Sequence, residues 1–364
     1  MRDLRRSKRV VLAGLATAAI TTSGLPASAG AAPSSGLDIV QLGELPGGTG
    51  SRAAAVNDRG VIVGSSKTAD GHDHAVRWDP DGRITDLGLL PGGGHSRATE
   101  INNNGDIVGA GDAAGENERA VRWAPDGTVT ALDRVPGEHN SGANGINDDG
   151  YVVGSASVGH LMSLAVVWEP GGTAAPIGPA SLQSTSAAAI NNHAVVAGST
   201  LESSRFNMFW AVTWTLGDAR GVVLPHLPGA RVRDTALSVN DNGLVVGRAD
   251  SYLGSSPYYP DHAVVWSPGA DVPTDLGTLP GGGDYSVAND VNDEGVIVGT
   301  AATNTTNGRQ AVLWEREENG WRIVPLPQLP GGTWSEATAI NDDGDVVGIA
   351  GNAQGQWVAV RWER

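Results

Sequence analysis

The stretch Asn341-Asp342-Asp343-Gly344-Asp345 is rich in oxygen ligands and superficially resembles part of a calcium loop. It lacks the glutamate whose offset supplies the bidentate ligand of such a loop, so a polar turn accounts for it better. The eight histidines share no position that would build a metal ring, and there is no cysteine for a thiolate site or a disulfide. No Gly-x-Ser-x-Gly, His-Glu-x-x-His or Gly-Lys-Ser phosphate-loop motif occurs. His95, Glu138, His139, Asp284 and Glu336 are the acid–base candidates that a distant assembly could bring together. Local sequence picks out no catalytic set, and the expectation is a chain with no catalytic residue, metal or cofactor.

The elements that position these residues are written in repeats. The nine residues "INDDGDVVG" at 340–348 return, with small changes, at 56–64, 101–109, 146–154, 190–198, 239–247 and 291–299. Asn57, Asn102, Asn147, Asn191, Asn240, Asn292 and Asn341 occupy one position of this phrase. An alanine stands three residues ahead of each phrase, from Ala53 to Ala337. A second phrase, AVxW, ends at Trp78, Trp123, Trp168, Trp214, Trp266, Trp314 and Trp362, at spacings of 45, 45, 46, 52, 48 and 48. A third, DLG followed by LPGG or a variant, lies between copies. Periods of this length indicate an array or a propeller.

Each period holds four short strands rich in Val, Ile and Trp, broken by Gly, Pro, Asn and Asp, with no stretch of helical period. In "VNDRGV" the Asn opens a turn and Gly60 closes it where positive φ is needed, which predicts a hairpin. "WDPDGR" at 78–83 repeats this with Pro80 and Gly82. Four-stranded antiparallel units in a ring make a β-propeller, and seven repeats predict seven blades. They run approximately over 42–86, 87–131, 132–176, 177–223, 224–275, 276–325 and 326–364. The seventh copy ends at its third strand, while "LDIVQL" at 37–42 is a spare strand ahead of the first. Pairing these two closes the ring and removes an unpaired edge. The seven alanines suit a crowded inner ring, and the seven tryptophans suit the wedges between blades. The repeated asparagines and tryptophans are therefore expected to be structural.

The order DLGxLPGG, AxxINxxGxVVG, AxxW resembles the extracellular HAF repeat family over residues 38–364. The His-Ala-Phe that names the family survives only as His74-Ala75 and His262-Ala263, with Val in place of Phe. The resemblance implies a secreted repeat protein and carries over no catalytic residue. The fourth copy is the most worn, with Ala194 at the turn glycine and Ser181-Leu182-Gln183-Ser184 in place of LPGG.

Residues 1–29 combine a basic start, a short apolar run and Ala27-Ser28-Ala29, the pattern of a cleavable secretory signal. Arg5-Arg6 leaves the route, general or twin-arginine, open. Residues 30–37 read as a short flexible linker before a single propeller domain at 38–364. The signal carries five basic residues and Asp3, a net +4, so its removal takes the formal charge from −16 to −20. Such a charge opposes binding to nucleic acid and to anionic membrane, and no later stretch is apolar enough to span a bilayer. A monomeric extracellular protein is expected.

Variation concentrates on one face of the predicted ring, the face of the second-to-third-strand loops and the blade crossings. Tyr252, Tyr258, Tyr259, Tyr285, Trp334 and Trp357 bring aromatic rings to it, and Arg52, His95 and Arg97 bring polar groups. Rings beside polar donors suit sugars or protein surfaces. These nine residues are the candidate ligand site of a binding scaffold for an extracellular glycan or protein. The competing function is a propeller lyase or hydrolase acting on an extracellular polymer.

Overall fold

The hairpin asparagine sets the local geometry of every repeat. In the first, Asn57 Oδ1 accepts the N–H groups of Arg59 (3.1 Å) and Val61 (3.0 Å), and the N–H of Gly60 closes back on the Asn57 carbonyl at 2.9 Å. Gly60 has φ +69°, which glycine adopts without steric cost. The turn joins β2 (Ser51–Val56) to β3 (Ile62–Lys67), which in turn pairs with β4 (Asp73–Trp78) and β5 (Ile84–Asp86); a separate strand, β1 (Asp38–Gln41), precedes them. The computed structural model describes residues 35–364 except 116, 160–161, 179–183, 204–207, 219, 230–232, 252–260 and 306–307.

The same four-strand unit recurs, giving seven four-stranded antiparallel sheets and no helix among the described residues. Six sheets use four consecutive strands. The seventh is completed by β1, which lies against the terminal strand Trp357–Glu363 in register from Asp38↔Glu363 to Gln41↔Val360. The protein is a seven-bladed propeller closed by its N-terminal strand.

Each inner strand carries a β-bulge two residues long, at Ala53/Ala55 in the first blade and at the matching alanines of the other six. The bulge explains the final glycine of the "VVG" phrase. A Cβ built at Gly64 would collide with the carbonyl oxygen of Arg52, which the bulge pushes toward β3. The inner-strand alanines are fully buried, so no larger side chain fits there.

The tryptophans join the blades. Trp78 is buried and its Nε1 donates to the Gly43 carbonyl at 2.8 Å, in the segment that enters its blade from the preceding one. Trp123, Trp168, Trp266, Trp314 and Trp362 make the equivalent bond to Gly88, Asp133, Pro225, Leu276 and Pro327. Burying such a ring contributes about 4–6 kcal/mol, and the bond satisfies its one donor. The fourth blade departs twice. Trp214 Nε1 is buried without a hydrogen-bond partner among the described residues, and Ala194 holds the turn at φ +59° where the other copies have glycine.

Candidate functional site

The two faces of the ring are built differently. On the turn face each asparagine is used three ways: Oδ1 closes its own turn, Nδ2 reaches the next blade, and its carbonyl accepts from the blade before. Asn57 Nδ2 donates to the Asn102 carbonyl (3.1 Å), Asn102 to Asn147 (3.0 Å), Asn147 to Asn191 (3.1 Å) and Asn191 to Asn240 (2.9 Å). Asn240 donates to Asn292 (2.9 Å), Asn292 to Asn341 (3.1 Å), and Asn341 back to Asn57 (3.0 Å). The residues one position on form a second closed ring, in which each side-chain oxygen accepts the N–H of its neighbour: Asp58, Asn103, Asp148, Asn192, Asp241, Asp293 and Asp342. Asn103 also donates to Asp58 and Asp148, and Asn192 to Asp148 and Asp241, which eases carboxylate repulsion on that side. No asparagine separates Asp241, Asp293, Asp342 and Asp58; burial and these like charges push Asp342 up from its ordinary value.

Two carboxyls line the channel behind these rings. Glu100 accepts the N–H of Ile101 (3.0 Å), and Asp290 accepts from Ser238 Oγ (2.6 Å) and the N–H of Ile340 (2.9 Å). Desolvation, with the Asp290 charge adding to it, pushes Glu100 up to about 8. Desolvation likewise raises Asp290. Desolvation therefore favours the neutral form of Glu100.

The loop face is organised by a hydroxyl residue, serine in five blades and threonine in one, two residues ahead of the inner-strand alanine. Ser96, Ser141, Thr185, Ser286, Ser335 and Ser51 each accept the N–H of the third-strand alanine in the preceding blade, at 2.8–3.0 Å. In the fifth blade Asp234 stands at this position, 1% exposed, and desolvation pushes its carboxyl up to about 7. The residues flanking the tie project at the loop face: His95, Tyr285 and Trp334 precede it, and Arg52, Arg97 and Glu336 follow it.

Ring closure brings several of them together. Arg52, from the start of the chain's first repeat, lies over the Trp357 ring of the last, with its guanidinium carbon 4.3 Å from the ring centroid. Trp357 meets Trp334 edge to face at 5.1 Å. The Trp334 indole lies where a Cβ at residue 351 would be, so Gly351 makes its room. Arg309 lies over Tyr285 at 5.2 Å; burial raises the Tyr285 hydroxyl, and the Arg309 charge opposes that shift. Arg52, Tyr285, Arg309, Trp334, Glu336 and Trp357 line one cleft of about 770 Å³. A second cleft of about 670 Å³ shares Arg52 and Trp357 with it and continues to His95 and Arg97. Both fall in the ~300–1,000 Å³ range of small-ligand sites.

Of the nine candidates, six therefore line two adjoining clefts: Arg52, His95, Arg97, Tyr285, Trp334 and Trp357. Tyr252, Tyr258 and Tyr259 lie outside the described residues. Sequence reasoning missed Arg309, Lys67 and Glu118. The last two hold the second cleft's wall as ion pairs, Lys67 with Asp73 (3.3 Å) and Arg97 with Glu118. Their only sequence signal is their place in or beside the connection between second and third strands: Lys67 ends a second strand, Arg309 begins a third strand and Glu118 directly precedes one.

The five acid–base candidates do not meet at one point. His95 Nε2 is 3.0 Å from His72 Nδ1, and Glu138 Oε2 accepts the N–H of Val135 (3.0 Å). Asp284 lies 2.9 Å from His262 Nε2, whose other ring nitrogen is 2.8 Å from Asp275. Burial lowers the His262 pKa, but these two carboxylates outweigh it and leave it raised. His139 is exposed, and Glu336 lines the first cleft. Among the described residues there is no group of three or more His, Asp or Glu side chains placed to hold a metal.

Comparison with known proteins places the fold and little more. A family model described as "Protein of unknown function (DUF3466)" matches residues 229–356. No curated protein matches the chain. A puromycin-hydrolyzing peptidase of Mycobacterium tuberculosis has a similar structure, at TM-score 0.58 and 15% identity, over 85% of this chain and 50% of that one. A puromycin hydrolase gives TM-score 0.52 at 12% identity, over 88% of this chain and 55% of that one. The chain thus spans about half the length of these structures, and likeness at this identity is likeness of fold.

Proposed function

We propose that this chain is a secreted, monomeric, non-catalytic β-propeller of the HAF-repeat type, which binds an extracellular glycan on its loop face. The observation that carries this is the single cleft in which Trp357, Trp334 and Tyr285 stand beside Arg52 and Arg309. Aromatic faces stack on the apolar faces of sugar rings, and the neighbouring donors fix orientation. The hydrolase activities named for the structural neighbours are not carried over, because propellers host many unrelated functions. Dispersal of the acid–base candidates gives the enzyme alternative no support. Export rests on the signal-like residues 1–29, which lie outside the described residues.

The test is an array of glycans and cell-wall polymers probed with the purified protein and with Trp357→Ala. The expected result is a specific hit that Trp357→Ala loses while its far-UV spectrum and melting temperature hold. A blank array, or a hit that the variant keeps, overturns the reading. Breakdown of the bound polymer would replace the scaffold with an enzyme.

A further inference from the structure

The charge of the cleft runs against the charge of the molecule. The chain is acidic, with a formal net charge of −16, and its overall field repels polyanions. At physiological salt that field decays within ~8 Å, so charges lining a cleft dominate what enters it. In the neighbouring cleft the basic groups other than the shared Arg52 are already matched, Lys67 by Asp73 and Arg97 by Glu118. Arg52 and Arg309 are different. Neither forms an ion pair among the described residues, and each is placed by an aromatic ring instead, Arg52 over Trp357 and Arg309 over Tyr285.

A cation–π contact holds a guanidinium beside a ring without using up its N–H donors. The five N–H donors lie in the guanidinium plane and none of those of Arg52 or Arg309 is taken by a carboxylate among the described residues. An arginine held against a ring with no carboxylate partner therefore offers a free fork, whose best complement is a planar carboxylate bound through two parallel hydrogen bonds. Glu336 lines the same cleft without an ion-pair partner among the described residues. It offers acceptors, which suit the hydroxyl groups of a sugar and disfavour a ligand that is anionic throughout. Two free forks, one free acceptor and three aromatic rings in one cleft match a sugar that carries both hydroxyls and a carboxylate.

Resting on the binding reading above, we propose that the ligand is an oligosaccharide containing uronic acid. A uronate carboxylate is taken by Arg52 or Arg309, with its ring against the Trp334–Trp357 pair. Arg52 and Trp357 belong to both clefts, so the chain of sugars continues past them toward His95 and Arg97. The site spans at least two sugar units, and the unit in the second cleft meets groups whose charges are already matched.

The test is calorimetric titration with an alginate oligosaccharide, with the same oligosaccharide after reduction of its carboxyl groups to alcohols, and with a sulfated neutral glucan of matching length. The expected result is that the uronate binds at least about tenfold more tightly than both of the others. The double variant Arg52→Gln/Arg309→Gln is expected to bind the parent and reduced forms equally. Trp357→Ala should lose both forms while staying folded. Equal binding of parent and reduced oligosaccharide by the unmodified protein overturns the uronate assignment and leaves the glycan reading standing. Tighter binding of the sulfated glucan also overturns the assignment. Failure of all three here, together with a blank glycan array, overturns the reading itself.

Discussion

The turn face and the loop face of this propeller are made from the two ends of the same inner strands, yet they follow opposite rules. At the turn face the residues repeat seven times, and they satisfy each other: Asn57 donates to the Asn102 carbonyl, accepts twice within its own turn, and receives Asn341 at its own carbonyl. At the loop face residues at matching positions differ from blade to blade, as Gly50, His95, Tyr285 and Trp334 do. There, Arg52 and Arg309 keep their edge donors unpaired among the described residues. Repetition marks groups whose hydrogen bonds are completed within the ring. Variation marks groups left available to something outside it.

The largest effect that would break this contrast is at the turn face. Asn57→Ala removes a cross-blade bond and leaves the Arg59 and Val61 N–H groups and the Asn102 carbonyl without that partner. With ~1 kcal/mol per net hydrogen bond and more for buried groups left unsatisfied, the expected loss is about 2–4 kcal/mol in chemical denaturation. Stability within 0.5 kcal/mol (roughly the range of neutral surface changes) would show that the rings are decoration.

The second effect is pH-dependent. The Glu100 carboxyl is raised from 4.5 to about 8 in the native channel. Below pH 4.5 folded and unfolded chains both hold its proton. Between 4.5 and about 8 the unfolded chain releases that proton while the native one keeps it, so stability falls as pH rises through this window. Glu100→Gln cannot ionise, so its stability relative to the unmodified protein should increase from pH 5 to pH 8. A difference that stays flat across this range would place Glu100 in contact with water.

Much of the architecture was legible in the letters. The turn chemistry of Asn57 and Gly60, the seven tryptophans and the spare strand before the first repeat together specify a closed ring. Periodicity could not supply contacts between copies. The asparagine rings join residues 44–52 apart and the serine ties residues 20–24 apart, except where each ring closes, and one-dimensional spacing does not say which atoms meet across a wedge. The "VVG" glycine was visible, but its reason, a bulge that drives the Arg52 carbonyl toward β3, exists only once strands pair. The site was half legible: its aromatic residues stood out as departures from the repeat. Arg309 did not, since a lone arginine at the start of a third strand has no local signature, and Arg52 meets Trp357 only because the chain closes on itself.

Two smaller effects sharpen the comparison at the worn fourth blade, the first by setting it against the third. Trp168→Phe gives up the hydrogen bond to Asp133, whereas Trp214 has no such bond among the described residues. Trp168→Phe should therefore cost about 1 kcal/mol more than Trp214→Phe in the same denaturation experiment. Equal costs would mean that the indole N–H bonds contribute nothing net. Ala194→Gly relieves a left-handed residue at φ +59° and should leave the protein up to about 1 kcal/mol more stable. A loss of stability on this change would show that the methyl group has a packing role in that blade.

The contrast between faces is tested most directly by titrating the alginate oligosaccharide into Asn57→Ala and Trp357→Ala, each held well below its own melting temperature. The account predicts a crossing: Asn57→Ala melts earlier but binds with unchanged Kd, and Trp357→Ala melts normally but does not bind. Loss of affinity in Asn57→Ala while folded, or full affinity in Trp357→Ala, would contradict it.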